Sequence, residues 1–399
     1  MTLNETPSAN RIHIALYGKR NAGKSSLINA LTGQDTAIVS AVAGTTADPV
    51  YKAMEVRSLG PCVFIDTAGF DDTGALGRLR VEKTEATIAK ADIALIVCAD
   101  DDLKLESEWA EKCKQAKVPF LVVINKADLL QSALTETAVK KVLGISALMV
   151  SASTGDGVPE LLAALTRLLP ADYGNESITA SLVKPGDVVM LVMPQDSEAP
   201  KGRLILPQVQ TIRDLLDQSC ISINVTPDTM ETALSALKEP PALIITDSQA
   251  FAAAYSKKPP ESRLTSFSVL FAAYKGDLSA FVEGAAAADR LTERSRVLIA
   301  EACTHAPLTE DIGRVKIPAL LRKKVGDGLT IDIVSGPHFP QDLSGYDLIV
   351  HCGGCMFNRK YLLSRVKRAN GAGVPITNYG VLLAKLNGIL EKIVLPDTE

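Results

Sequence analysis

Two groups of residues carry chemistry by their types and spacing. The first is GKRNAGKS, residues 18–25, a G-x-x-x-x-G-K-S run. Gly18 and Gly23 let a backbone turn point its N–H groups inward at phosphate oxygens. Lys24 brings a point charge to the β- and γ-phosphates and Ser25 a hydroxyl to Mg²⁺, with Asn21, Ala22 and Ser26 in the same loop. The second group is late in the chain: Cys303 and His305 in CTH, then His351, Cys352 and Cys355 in HCGGC. Three thiolates suit a soft, thiophilic centre, and Gly353 and Gly354 leave room for a loop to wrap a bulky cluster and offer N–H donors to its sulfides. A closed tetrahedral zinc site of Cys₃His or Cys₂His₂ type would use the same residues.

The elements around the first group give it context. IHIALYG reads as a strand and SLINALTG as a helix, so the glycine loop joins strand to helix, as a phosphate loop requires. Three more stations follow strand-like runs in order. DTAG, residues 66–69, follows CVFI, and would place Asp66 on Mg²⁺ through water and the Gly69 N–H on the γ-phosphate. NKAD, 125–128, follows FLVVI, and SAS, 151–153, follows ALMV. Asp128 can accept from both N1–H and the exocyclic amine of guanine, a donor pair that adenine lacks, so the nucleotide is GTP. Asn125 would brace the loop, Lys126 lie over the base, and the backbone at Ser151 and Ala152 reach the guanine oxygen.

Residues 10 to about 170 thereby resemble the translation-factor-related GTPases, in the branch of the tRNA-modifying and ribosome-assembly members. That resemblance implies a K⁺ ion on Asn21, a fixed cation near the developing phosphate charge. It also makes Thr46, in AGTTAD, the switch residue on Mg²⁺, with Thr45 the second candidate. Residue 70, where Ras-like enzymes place a water-orienting glutamine, is Phe70, and a phenyl ring cannot hold water. The expectation is slow hydrolysis, faster in potassium than in sodium.

Composition bounds the rest. The chain is 47% hydrophobic and 22% charged, with net charge −4, which argues against a nucleic-acid partner held by phosphate neutralisation. No apolar run approaches the roughly 18 residues of a membrane span, and MTLNETPSAN lacks a secretory signal. Seven cysteines fit a reducing compartment, so the expected location is cytoplasmic, with no membrane and no nucleic acid.

At 399 residues, two or three domains are expected. Polar, Pro- and Gly-rich breaks at LLPADYGNESITASLVKPGD and KKPPES divide the chain into 1–172, 180–262 and 263–399. The fold class is α/β: a P-loop GTPase domain followed by two smaller parallel-sheet α/β domains. The middle segment alternates strands (VVMLVMP, ISINVT, ALIITDS) with helices and holds no catalytic set, so packing or oligomerisation is its role. In the last segment RVLIAEA leads to CTH and DLIV to HCGGC, which places both clusters at the carboxyl ends of strands, on one edge of a parallel sheet. Cys62, Cys98, Cys113, Cys220, His13 and His338 read as packing or loop residues.

The whole arrangement resembles the HydF family of hydrogenase-maturation GTPases, through the GTPase motifs, the CTH and HCGGC pair and the run SFSVLFAAYKGD. The resemblance implies that Cys303, Cys352 and Cys355 hold a 4Fe–4S cluster whose fourth position is held exchangeably by His351 or His305. It also implies a homodimer through the middle domain, a di-iron precursor made with the help of two radical-SAM enzymes, and delivery of that precursor to apo-[FeFe]-hydrogenase. Two other readings stand beside it: a zinc-containing regulatory GTPase, and an RNA-modifying GTPase, which would need a basic face or a GxxG-loop module.

Overall fold

The computed structural model describes residues 8–33, 49–56, 58–72, 74–129, 135–169, 173, 177–194, 204–302, 311–336, 338–354 and 357–397. It divides into two compact units, Met1–Tyr173 and Gly174–Glu399.

The first unit runs β1 (Ile12–Gly18), α1 (Lys24–Thr32), β2 (Val50–Val56), β3 (Gly60–Asp66), α2 (Gly74–Ala86), β4 (Ile93–Cys98), α3 (Lys104–Gln115), β5 (Phe120–Ile124), α4 (Glu136–Leu143), β6 (Ala147–Met149) and α5 (Val158–Leu168). Its sheet has the order β2-β3-β1-β4-β5-β6, with β2 antiparallel to β3 and the other pairings parallel. Every residue of β1 and β4 is buried, which is why both read as unbroken apolar runs: helices cover both faces of a parallel sheet. The edge strand β2 alternates exposed and half-buried residues. The parallel register (Leu16 opposite Asp66, Gly18 opposite Val97, Ile124 opposite Met149) brings the carboxyl ends of β1, β3, β4, β5 and β6 to one edge.

The second unit holds two four-stranded parallel sheets. The first is built from β7 (Val188–Val192), α6 (Leu206–Asp217), β8 (Ile221–Val225), α7 (Met230–Ser235), β9 (Leu243–Thr246), α8 (Phe251–Lys257) and β10 (Arg263–Ser266), in the order β10-β9-β7-β8. After α9 (Phe267–Lys275) and α10 (Leu278–Ala287) comes the second: β11 (Arg296–Glu301), a π-helical turn Ile312–Lys316, α11 (Ile317–Val325), β12 (Thr330–Ser335), β13 (Leu348–His351), α12 (Arg359–Gly371), β14 (Ile376–Asn378) and α13 (Tyr379–Leu386). Its order is β12-β11-β13-β14.

The strand RLTS (β10) was not foreseen in the sequence, and SFSVLFAA, grouped there with the last domain, is the helix α9. The Ser266 hydroxyl caps it by accepting from Val269 N at 3.3 Å. An apolar run of this length cannot be told from a strand by periodicity. It is apolar around most of its circumference because it is packed on two sides. Phe267, Leu270 and Phe271 enter the core of the β7–β10 sheet, while Val269 and Ala272 enter the core of the β11–β14 sheet. Gly380 is where α13 meets Ser268 of α9; a Cβ there would collide with the serine side chain.

Among the described residues, no helix is long and apolar enough to cross a membrane.

Candidate functional site

The first site lies at the carboxyl edge of the first sheet. Lys24 opens α1, whose N-cap Gly23 sits in the left-handed region (φ 85°) and whose first N–H groups have no side-chain cap. Those donors and the helix dipole suit a phosphate. Gly23 has a second reason to be glycine: any Cβ would strike Asn125 Nδ2. The Lys24 ammonium is buried and donates to the carbonyls of Gly18 and Lys19, both at 2.9 Å. Burial pulls it down to about 8, against the opposing pull of Asp66, Asp71 and Asp72. Ser25 Oγ donates to Asp66 Oδ2 at 2.5 Å, so the two expected Mg²⁺ partners are already adjacent.

The other stations close around this loop. Asn125 Nδ2 donates to Ala22 O at 2.9 Å, and its Oδ1 accepts from Ala152 N at 3.2 Å. One side chain thus ties the phosphate loop to the SAS loop. Asp128 accepts from Ser151 Oγ at 2.6 Å and Ser153 Oγ at 3.1 Å; the Ser151 bond first, then Ser153, holds its carboxyl below the usual range and keeps it an acceptor. Lys126 takes a left-handed backbone (φ 59°), which turns the NKAD loop. Gly69 lies against Arg20, where a Cβ would meet Arg20 N at 2.6 Å, and Asp71 Oδ1 accepts from that same N–H at 2.6 Å. Asn21 is exposed at the loop tip with φ 58°. Ser26 is half-buried on α1. Thr45 and Thr46 lie outside the described residues.

Phe70 has a positive role that the sequence did not disclose. It is buried and stacks on Trp109 of α3, ring centroids 5.4 Å apart and 17° from parallel, with Tyr17 of β1 on the same indole at 4.9 Å. The residue after DTAG is therefore a hydrophobic anchor, turned away from the phosphate edge.

The second site lies at the carboxyl edge of the β11–β14 sheet. Ala300 pairs with His351 and His351 with Asn378, so β11, β13 and β14 end side by side. Cys352 leaves β13 there, and its Sγ accepts from Ala302 N at 2.9 Å. Cys303, His305 and Cys355 lie outside the described residues; Cys303 follows directly on Ala302, and Cys355 on Gly354. Gly354 has φ 64°, and a Cβ on Gly353 would meet nothing within 4 Å, so the loop is both turned and open. Among the described residues no group of three metal-ligating side chains occurs.

His351 departs from the expectation that it offers a ligand nitrogen. It is fully buried; Nδ1 is 2.7 Å from Cys352 O, and Nε2 is 2.9 Å from Arg365 Nη1. The carbonyl must accept and the guanidinium must donate, which fixes a neutral imidazole protonated on Nδ1 with Nε2 occupied. Burial, then Arg365, pushes the ring down to about 3. Arg365, 1% exposed, also donates to Gly336 O at 2.7 Å and lies over the rings of Phe357, Phe339 and Tyr361 at 4.6–4.9 Å.

Arg365 was missed in the sequence, yet a signal existed. Tyr361, Leu362, Arg365, Val366 and Ala369 form the buried stripe of α12, so a cation stands where helical periodicity demands an apolar residue. Cys62, Cys98, Cys113 and Cys220 are buried. His13 is buried in β1 with Nδ1 2.9 Å from Arg11 O, and burial lowers it to about 4.

Comparison with known proteins finds three family models in order along the chain, the last two meeting between 276 and 279 and not at the expected 262/263. A model described as the hydrogen maturase F dimerization domain matches residues 178–276, and one described as the hydrogen maturase F tetramerization domain matches 279–396, together more than half of the chain. A 50S ribosome-binding GTPase model matches 13–126. Curated relatives match about two fifths of the chain. The tRNA modification GTPase MnmE of Azoarcus sp. (strain BH72) is 40% identical over 163 residues, 39% of this chain and 34% of that protein, and MnmE of Heliobacterium modesticaldum is 34% identical over 161 residues, 40% and 34% respectively. The chain thus spans about a third of the length of these relatives. Among solved structures, Aquifex aeolicus Era bound to GDP·AlF4⁻ aligns at 21% identity and TM-score 0.35, over 54% of this chain and 92% of that one.

Proposed function

The chain belongs to the hydrogen maturase F family, and from that premise we propose that this GTPase is a scaffold that holds a 4Fe–4S cluster and delivers a di-iron precursor to apo-[FeFe]-hydrogenase. GTP hydrolysis is the work of the first unit. Its bound GTP rests on Gly18, Ala22, Gly23, Lys24, Ser25 and Ser26, its base is read by Asn125, Lys126, Asp128, Ser151 and Ala152, and Mg²⁺ is held by Ser25 with Asp66 and Thr46. K⁺ held at Asn21 would supply a fixed positive charge near the developing phosphate charge, in place of the water-orienting glutamine absent at Phe70. The dimerization and tetramerization domains give self-association, and the homodimer forms through the middle domain. The working location is the cytoplasm, the source of the cargo the radical-SAM maturation enzymes, and neither membrane nor nucleic acid is a partner.

The observation that carries the cluster reading is Cys352: a thiol at the end of β13, beside the end of β11 that leads into Cys303, receiving an N–H bond from Ala302. Backbone donors to sulfur and an open glycine turn fit a cluster held by Cys303, Cys352 and Cys355. Such a cluster supplies an iron with an exchangeable position. His351 is committed to Arg365 and the Cys352 carbonyl, so His305 takes that position and His351 orients the loop.

Anaerobic reconstitution followed by iron, sulfide and zinc analysis and EPR of the reduced protein tests this. About four irons and four sulfides per chain are expected. A colourless protein that takes up one zinc and no sulfide favours the zinc-containing regulatory GTPase instead.

A further inference from the structure

The DTAG segment is pinned to the phosphate loop by a contact that the nucleotide motifs do not explain. Asp71 lies two residues beyond Gly69, and its Oδ1 accepts from the Arg20 backbone N–H at 2.6 Å. A carboxylate on a backbone N–H makes a charge-assisted bond, stronger than a neutral one. The Arg20 guanidinium adds ion pairs, its Nε lying 3.5 Å from Asp71 Oδ2 and 3.3 Å from Asp72 Oδ1. That side chain is 44% exposed, so the pairs contribute little, and the weight of the contact falls on the N–H bond.

The surroundings make it a joint between two parts. Phe70, between Gly69 and Asp71, has its ring in the core against Trp109, so the backbone on either side can pivot about that anchor but not leave it. Gly69 is packed into the joint: a Cβ there would stand 2.6 Å from Arg20 N and 2.7 Å from Asp71 Oδ1. Asp72 continues the contact to α2, its Oδ2 accepting from Arg80 Nη1 at 3.3 Å. On the other side of Arg20, Lys19 ties the phosphate loop to the β4–α3 connection by donating to Asp100 Oδ1 at 2.7 Å. The phosphate loop is thus the fixed post, and the Asp71 bond is what stops the DTAG segment from pivoting against it.

We propose, on the reading of Gly69 as the γ-phosphate contact, that Asp71 is a positioning residue for GTP hydrolysis, whose carboxylate on the Arg20 N–H holds the Gly69 N–H at that phosphate. GDP has no γ-phosphate, so its binding does not need the joint. Turnover does, because a misplacement of about 1 Å near the reacting group can cost on the order of a hundredfold.

The test compares Asp71→Ala and Asp71→Asn in the full chain by kcat and KM for GTP, GDP affinity and melting temperature. Asp71→Ala is expected to lower kcat roughly ten- to a hundredfold, with GDP affinity and melting temperature unchanged. Asp71→Asn keeps an oxygen for the N–H and is expected to retain most of kcat. Wild-type kcat in Asp71→Ala overturns the inference, and so does faster turnover, which would make the carboxylate a block on the phosphate. An equal loss in both variants overturns it as well, since the charge and not the bond would then be at work. A fall in GDP affinity and melting temperature alongside kcat assigns Asp71 to the fold of the loop instead. Gly69→Ala, which forces the segment off Arg20, probes the reading beneath: kcat should fall at least as far as in Asp71→Ala, and wild-type turnover there removes Gly69 from the γ-phosphate.

Discussion

The phosphate edge of the first sheet and the thiol edge of the last are the same device, loops converging at the carboxyl ends of parallel strands, and they are furnished in opposite ways. At the phosphate edge the motif residues satisfy one another: Lys24 on two carbonyls, Ser25 on Asp66, Asn125 between Ala22 and Ala152, two serines on Asp128. The loops are held in place before any ligand is considered. At the thiol edge the Tyr379 hydroxyl and Arg365 Nε have no hydrogen-bond partner among the described residues, and the buried guanidinium meets an imidazole, a carbonyl and three rings. The lesson is that one edge is preorganised by bonds among its own residues, while at the other a buried cation is held by an imidazole, a carbonyl and aromatic faces.

The sharpest way to break that comparison is to cross the two sites. Cys352→Ser is expected to abolish iron and sulfide uptake and leave GTP turnover at the wild-type rate. Lys24→Ala is expected to lower GTP turnover on the order of a hundredfold, the scale of losing one preorganised charge at a transition state, with iron content unchanged. Turnover assays and metal analysis on the same two preparations read both. Cluster retained in Cys352→Ser removes that cysteine from the ligand set.

A smaller effect concerns what holds the phosphate edge in place. Phe70 is packed on Trp109 in a cluster with Tyr17, Ile65 and Ala94. Phe70→Ala should therefore cost about 3–5 kcal/mol of stability, seen as a lower denaturant midpoint. Phe70→Gln should be destabilising as well, and gain no turnover, since its side chain would enter the core. Faster turnover in Phe70→Gln would show that residue 70 reaches the attacking water after all.

How much of this was legible in the sequence follows the same divide. The nucleotide stations are short, ordered motifs whose neighbours in space are also fixed in order along the chain, so Asp66, Asn125 and Asp128 could be assigned from strand context. The anchor role of Phe70 was hidden because its partner Trp109 lies on α3, with no spacing rule to join them. In the last sheet, strand-end logic located Cys352 and its edge, but the residue that holds His351 beside it, Arg365, stands on a separate element, α12, and left a trace only as a charge on an apolar stripe. The boundary between the two small sheets was obscured for a different reason: α9 belongs to both cores.

A subtler probe of preorganisation is proton linkage at Lys24. Burial lowers its folded-state value to about 8 from 10.5. Below about pH 8 the lysine is charged whether folded or unfolded, and the burial penalty is fully present. Between about pH 8 and 10.5 the unfolded chain binds more protons, so this group makes the nucleotide-free protein more stable as pH rises. Phosphates restore the ammonium, so nucleotide binding takes up a proton in that window and weakens by up to about tenfold per pH unit. Nucleotide titrations across the window should show that slope, and Lys24→Met should flatten it. An equal slope in both would assign the linkage to another group.

The smallest expected effect tests whether the tip of the phosphate loop does more than turn. Asn21 combines an exposed side chain with a left-handed backbone, a conformation asparagine tolerates better than most residues. Either property alone would explain its type. A carbonyl oxygen at this tip can share K⁺ with the phosphates, whereas Na⁺, smaller and more tightly hydrated, suits the same spacing less well. Turnover is therefore expected to be several-fold faster in KCl than in NaCl. Asn21→Gly keeps the backbone and removes the oxygen, so it should lose the potassium advantage while retaining the sodium rate. Asn21→Ala removes the oxygen and strains the turn, so it should lower both. A potassium advantage that persists in Asn21→Gly leaves the residue a turn-former, and places the phosphate edge wholly on the self-satisfied side of the comparison.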